Sequence, residues 1–531
     1  MKLSKPVIVG VSVALAASLT SSAFAADATP VYFLSKNAAA QIKVLATVGD
    51  LITGTVVRGI PDGMGAYDNG RGGISILSSH EVSTTAPLAL KGKSSSAVWG
   101  TSITKFNYGK TSQIVTSASN FIQKVSFYNY TTDKYQDSPT GAAPAGVAAG
   151  TFDWGISRFC SATYSPAGTF IYNGVGYEGG LFTAGEEVGD DSRGFAFDED
   201  GNGFQLPRMG MTAFENIIPA IKPGANTVVI GTEDGSATDS QLYVYVGKKQ
   251  ATGTAVDQAG LTNGDIHVMN ITAAKTDNIF RKEIGLNKQT PVTFNKIDWN
   301  TTPTAYAKAA RENGSTLARV EDGHWDPTNP NVFYFVTTES NKDPIATAVN
   351  PALPTVSRDG GALWRLTFKD VQNPAAGANL EMLLNGGESL YLSKPDNITV
   401  SHDGKYVLLQ EDPGNNAALA RLVAYRVADG KLAVVGQFDP TMFVKGGSKF
   451  ITEDEESSGV IDATALLAKP GDKKSYFFFN AQIHTPTGAI AARPDLAKKN
   501  AAKKDAINTA TVEGGQYYLM TISDWDAIFK A

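Results

Sequence analysis

The sequence predicts an all-β fold with minor helices, and three observations carry that prediction. Charged residues make up only 18% of the 531, too few for long amphipathic helices, while 53 glycines mark frequent turns. Short β-branched and aromatic runs recur, each entered through a turn: Ser165 to Tyr172, Asp326 to Val336, and Ser401 to Gln410. Helical patterning is confined to brief stretches, clearest at Thr304 to Arg311 and Ile461 to Ala468. Hairpins repeated around a chain make a propeller or a sandwich.

Taken in order, the first 25 residues read as an export signal: Lys2 and Lys5, an apolar run from Val7 to Leu19, and the small-x-small site Ala23-Phe24-Ala25. Residues 26–531 then read as a single domain, periplasmic or secreted. No later apolar stretch is long enough to span a membrane. Gly59 to Gly65 reads as a loop from its proline and glycines, and Gly73 to Glu81 as a strand ending in His80-Glu81. Ser112 to Ser117 and Phe121 to Tyr128 read as strands, and Pro139 to Gly150 as an exposed loop. Ala491 to Lys504 is Ala/Lys-rich and reads as a solvated helix or a surface loop.

Net charge is −6, with both signs mixed along the chain, which argues against a nucleic-acid partner. The single cysteine, Cys160, cannot form an intramolecular disulfide; it is either inert packing or has a chemical role. No HExxH, Gly-x-Ser-x-Gly elbow or phosphate-cradling loop is present, which disfavours zinc peptidases, serine hydrolases and nucleotide binders.

What remains is a set of acidic sites at strand ends: His80-Glu81, Glu186-Glu187, Glu215, Glu233-Asp234, Glu321-Asp322 and Glu411-Asp412. Hard cations need several oxygen ligands, and carboxylates supply them. One such pair is also what a solvated loop looks like, but repeated strand-end placement lets distant acids converge on a propeller axis. Converging carboxylates stay ionised only with cations or arginines among them. Arg319 fits that need: two residues before Glu321, it shares a face with it if the segment is a strand. The densest acidic run, Thr452 to Asp462, reads either as a calcium-binding segment or, the preferred reading, as a plain loop capping the helix that follows it. The five histidines read as structural.

In order along the chain, Pro61-Asp-Gly-Met-Gly65, His80-Glu81, Cys160 with Gly185-Glu-Glu187, Gly210-x-x-x-Phe-Glu215, Arg319-Val-Glu-Asp322, Pro395-Asp-Asn397 and Glu411-Asp412 together resemble the PhoX family of bacterial alkaline phosphatases. The resemblance implies a six-bladed β-propeller hydrolysing phosphate monoesters at an axial site of iron and calcium, acting as a monomer on a small phosphorylated substrate. It places Cys160, Glu215 and Glu321 on iron. Glu81, Glu186, Glu187, Glu233, Asp234, Glu411 and Asp412 fall among further metal ligands, and Arg319 on the substrate phosphate. Three departures stand out. Met211 and Phe214 replace an arginine and a histidine of the family pattern, Val320 replaces a proline, and the leader lacks the family's twin arginines. The alternatives are a non-catalytic, calcium-stabilised binding propeller, or a propeller hydrolase of phosphodiesters, phytate or lactones.

Overall fold

Turn-bounded runs of β-branched and aromatic residues pack well on pleated, half-buried surfaces. In this chain they fold as antiparallel meanders. A computed structural model describes residues 29–530, apart from 83–89, 92–97, 100, 145, 148–154, 237, 340–359, 416–417, 486–487, 500–507 and 509. The export signal expected at 1–25 lies outside the described residues, as do the ends of the 139–150 loop and the 491–504 segment.

The described strands form six antiparallel four-stranded meanders, two of them extended: Phe33–Ser35 adds to the one that begins at Pro395, and Lys124–Asn129 with Lys134–Gln136 to the one that begins at Phe159. Their innermost strands are β1 (Pro61–Asp68), β2 (Phe159–Ser165), β3 (Phe214–Pro219), β4 (Val320–Trp325), β5 (Pro395–Val400) and β6 (Glu455–Asp462). Each pairs with a second strand: Gly73–His80, Leu181–Glu186, Asn226–Glu233, Val332–Thr337, Tyr406–Glu411 and Ser475–Ile483 in turn. Each inner strand packs beside the next around a circle, and β6 returns to β1. The arrangement is propeller-like. Strand Thr290–Ile297 joins the third and fourth meanders at their outer edges. Near the N-terminus, Ala40–Thr47 pairs with Gly514–Ile522 and becomes the outer strand of the sixth meander.

Aromatic rings fill the space between neighbouring sheets. Phe335 and Trp364 stack at 6.0 Å with Phe280 edge-on to the indole, and Phe33, Phe438, Phe479 and Tyr518 form a second such cluster. These rings fix how the sheets lean, and so where their inner strands meet.

The inner strands come very close to one another. A Cβ on Gly63 would lie 2.0 Å from the Ala162 nitrogen on β2, and one on Gly459 (φ +62°) 2.3 Å from the Asp62 carbonyl oxygen. Glycine is there for backbone approach rather than for a turn. For that reason the stretch expected as a loop at 59–65 is largely strand β1. The acidic run at 452–462, expected to be a loop, is largely strand β6, and only Thr464–Leu467 is helical where Ile461 to Ala468 was expected. The helix expected at 304–311 forms as Pro303–Asn313, capped by the Thr302 hydroxyl accepting from the Ala305 N–H. No described helix is long and apolar enough to cross a membrane.

Candidate functional site

One backbone motif repeats in all six meanders. The residue after each second strand donates its N–H to the carbonyl of the residue before the inner strand. The six pairs are Glu81 to Ile60, Glu187 to Arg158, Asp234 to Ala213, Thr338 to Arg319, Asp412 to Lys394 and His484 to Asp454, at 2.9–3.0 Å. Four of the acceptor residues, Ile60, Arg158, Arg319 and Lys394, have positive φ (34–58°). A register break follows at once in β1 to β5, and after Ser458 in β6. Bulges of this kind bend a strand and re-aim its side chains.

The consequence is a ring. The second residue of each inner strand is Asp62, Cys160, Glu215, Glu321, Asp396 or Glu456, and these six converge with Glu81 and Glu187. Four overlapping groups each bring their donor atoms within 4.8 Å of one another: Asp62–Cys160–Glu215, Glu81–Cys160–Glu187, Asp62–Glu81–Glu456 and Glu215–Glu321–Asp396. The Cys160 Sγ donates to Asp62 Oδ2 at 3.0 Å. The Gln482 amide bridges Glu81 (2.8 Å) and Glu456 (3.0 Å). Beneath the ring lies a polar floor. Asn216 Nδ2 donates to Asp322 Oδ1 at 2.7 Å, Asn397 donates to the Ser161 hydroxyl, and the Gly459 N–H donates to Asn397 Oδ1 at 2.9 Å. Below it runs a channel of about 250 Å³ along the inner strands.

Two arginines face the ring. Arg158 donates Nε to Glu187 and pairs Nη2 with Glu81, both at 2.7 Å. Arg319 forks onto Asp234 through Nε (2.8 Å) and Nη2 (2.7 Å), with Glu321 at 3.4 Å and Glu339 at 3.6 Å. The proximity of Arg319 to Glu321 does not come from strand alternation, because Arg319 precedes β4 and is left-handed (φ +58°).

The electrostatics are those of unpaired, desolvated acids. Burial, then neighbouring carboxylates, pushes Asp62, Glu187, Glu321 and Asp396 well above the carboxylate range, Glu215 to about 8 and Glu456 to about 7. Glu81 is the exception. Burial raises it too, but Arg158 and the Gln482 amide outweigh that and hold it below its usual value. Burial also drives the Cys160 thiol well up, reinforced by Glu187 and Glu215. Asp62 Oδ1, Glu215 Oε1 and Asp396 Oδ1 are buried and accept no hydrogen bond. Such orphaned oxygens are costly unless something positive meets them.

A family model described as alkaline phosphatase PhoX matches residues 197–459. The chain belongs to the PhoX family of alkaline phosphatases. Among solved structures it resembles the PhoX of Pseudomonas fluorescens in complex with vanadate, described there as a transition state analogue. The TM-score is 0.58 at 10% identity, over 94% of this chain and 98% of that one. The periplasmic gluconolactonase of Pseudomonas aeruginosa is more remote (TM-score 0.34, 10% identity, 80% of this chain and 82% of that one). A comparison with curated proteins finds no match. Membership of a phosphatase family sets aside the non-catalytic alternative.

PhoX enzymes depend on metals, and the donor set here fits that requirement: a thiol among carboxylates on one side, oxygen-only groups on the other, and orphaned acceptors between them. Of the residues expected as ligands, Glu81, Cys160, Glu187, Glu215 and Glu321 lie in the ring. Asp234 and Asp412 lie on its rim, Asp234 engaged by Arg319 and Asp412 accepting the Gly414 N–H.

Glu186, Glu233 and Glu411 do not reach the ring. Each is the last residue of a second strand, so its side chain points opposite to its neighbour's. Glu186 is wrapped by Arg193 (2.8 Å from each oxygen) and the Ser157 N–H. Glu411 is forked by Arg421 and accepts from the Ser393 N–H. Glu233 accepts from the Gln241 N–H and the Tyr243 hydroxyl, both at 2.9 Å. His80 likewise faces inward, bonded to the Gly59 carbonyl and Thr104, with burial holding its pKa down at about 3. The ring members missed from sequence are Asp62, Asp396 and Glu456. As for the departures, Phe214 and Met211 are fully buried among aromatic and aliphatic side chains. The change from polar residues at those positions falls in packed interior and leaves the donors in place.

Proposed function

We propose that this PhoX protein is an exported metal-dependent phosphatase that hydrolyses phosphate monoesters at the axial ring, with iron and calcium as its cations. The observation that carries the proposal is the ring itself: seven converging carboxylates and one thiol, met among the described residues by two guanidinium groups and the His484 imidazole, 3.8 Å from Glu456. A phosphate dianion approaching that ring is repelled unless cations neutralise it.

Cys160, with Asp62, Glu215 and Glu321, is the set suited to iron, since a thiolate favours a softer cation; the oxygen-only sets with Glu81, Asp396 and Glu456 suit calcium. When bound, these cations supply Lewis acidity, drawing charge from the phosphoryl oxygens. The remaining work belongs to the chain. Arg319 presents a planar fork at the mouth, and its side chain is 26% exposed, so an incoming phosphoryl group can reach it. Burial works against its charge, but Asp234, Glu321 and Glu339 hold it protonated throughout the working range. A fork in this setting binds two equatorial oxygens at once and is most useful where charge develops on them. The floor of Asn216, Asp322 and Asn397 is saturated with hydrogen bonds and keeps the ring rigid from below.

The segment at 1–25, with its two lysines, apolar run and small-x-small site, supports export. The deciding experiment is hydrolysis of p-nitrophenyl phosphate against bis-p-nitrophenyl phosphate by protein purified from the periplasm, before and after chelation, with elemental analysis of each sample. Monoester turnover that rises and falls with bound iron and calcium is the expected result. Metal-replete protein without turnover, or with faster diester cleavage, overturns the reading.

A further inference from the structure

The residue immediately before each inner strand occupies one equivalent slot in all six meanders, fixed by the shared backbone hydrogen bond. Around the ring the slot holds Ile60, Arg158, Ala213, Arg319, Lys394 and Asp454. Arg158 and Arg319 share more than the slot. Both are left-handed there, both lie two residues before a ring donor (Cys160 and Glu321), and both turn the Nε/Nη2 edge onto acids that follow second strands. The donor groups beside them overlap: Glu81 and Glu187 converge with Cys160, Cys160 with Glu215, and Glu215 with Glu321, which lies 3.4 Å from Arg319. The Arg158 side chain is 41% exposed and that of Arg319 26%, so neither is sealed from an incoming ligand.

We propose that Arg158 is a second phosphoryl-binding arginine, which holds the substrate phosphate at the ring together with Arg319. The proposal rests on the phosphatase reading above. With no cation present, Arg158 neutralises Glu81 and Glu187. Glu81 and Glu187 would hold a cation, and the Nε/Nη2 edge of Arg158 would then be free for phosphate oxygens. A guanidinium fork matches a pair of phosphate oxygens as well as a pair of carboxylate oxygens. The competing role is that of a fixed counter-ion that never touches substrate. The two roles differ in what Arg158 does once the metals are bound.

The test uses metal-loaded protein with Arg158→Gln and Arg158→Lys, measuring inorganic phosphate affinity by calorimetry, KM and kcat on p-nitrophenyl phosphate, iron and calcium content, and Tm. At wild-type metal content, Arg158→Gln is expected to weaken phosphate binding and raise KM by about 10-fold or more, the scale of one charge-assisted contact. A smaller change in kcat and partial recovery in Arg158→Lys complete the expected pattern. Where Arg158→Gln loses metal or fold, Arg158→Lys decides: weakened phosphate affinity at full metal content supports the role. Unchanged phosphate affinity in the metal-replete lysine variant overturns it and leaves Arg158 a counter-ion. Wild-type protein that binds and hydrolyses phosphate esters while both variants match it sinks this proposal alone. Metal-loaded wild type that binds no phosphate sinks the phosphatase reading with it.

Discussion

The axial ring and the belt directly behind it are built from the same acids, often from adjacent residues, and they treat buried charge in opposite ways. In the belt, Glu186 and Glu411 each have an arginine fork and a backbone N–H, and Glu233 has a tyrosine hydroxyl and a backbone N–H. In the ring, one residue further along, Glu187 shares a single arginine with Glu81, and Asp62, Glu215 and Asp396 each leave an oxygen with no hydrogen bond. Burial is comparable, so it does not separate the two sets; the number of partners does. A carboxylate satisfied by its own protein is architecture, and one left short is waiting for something the protein does not supply.

Among single substitutions, the largest expected effect tests the belt. Arg193→Met leaves Glu186 buried without its fork and should lower stability by roughly 3–5 kcal/mol, read from urea or thermal unfolding. An unchanged midpoint would break the contrast at its structural end. In the ring, Arg319→Ala should cost roughly 2–4 kcal/mol in kcat/KM, the scale of losing one preorganised charge-assisted contact, with the melting curve little altered. Activity within a few-fold of wild type would remove Arg319 from the substrate site.

A third effect follows from the raised carboxyls. In metal-free protein Glu215 titrates near 8 and Glu456 near 7, against about 4.5 unfolded, so between those values the folded state carries the extra protons. Stability of the metal-free form should therefore fall as pH rises from 5 to 8, by about 1.4 kcal/mol per pH unit for each extra proton. Metal-loaded protein should lack that slope, because its ligands are already deprotonated. Tm measured across this range with and without chelator reads both, and a flat metal-free profile counts against the ring being unpaired. The smallest change is expected at the rim: Asp412→Asn should shift stability by under about 0.5 kcal/mol and leave metal content unaltered. A lost metal equivalent would extend the ring to include it.

Much of this was legible in the sequence. The turn-and-strand rhythm gave the all-β class, and acids at strand ends pointed to convergence. Which member of each pair faces the axis was legible in principle, since neighbours on a strand face opposite ways, but it needed the strand ends to the residue: Glu186 ends its strand and Glu187 lies beyond it. Asp62 was hidden because Gly63 and Gly65 look like turn glycines when they are really the price of close-packed backbones. Glu456 was hidden in a run of four acids, Glu453 to Glu456, where only its place on β6 distinguishes it. Asp396, between Pro395 and Asn397, offers no pair to draw the eye. The proximity of Arg319 to Glu321 was correctly anticipated, though a left-handed residue and not a strand face produces it.

Strand Ala40–Thr47 is hydrogen-bonded to Gly514–Ile522, so the circle is completed by segments more than four hundred residues apart. The cation donors come from β1 through β6 and belong to that same circle. During synthesis this early strand waits unpaired until nearly the whole chain has been made, and a partial product lacks the strand that joins it to the sixth meander. Cation capture at the ring would therefore be a late event in the life of each molecule, and a chain truncated before residue 514 carries every ring donor yet lacks the strand that closes the circle around them.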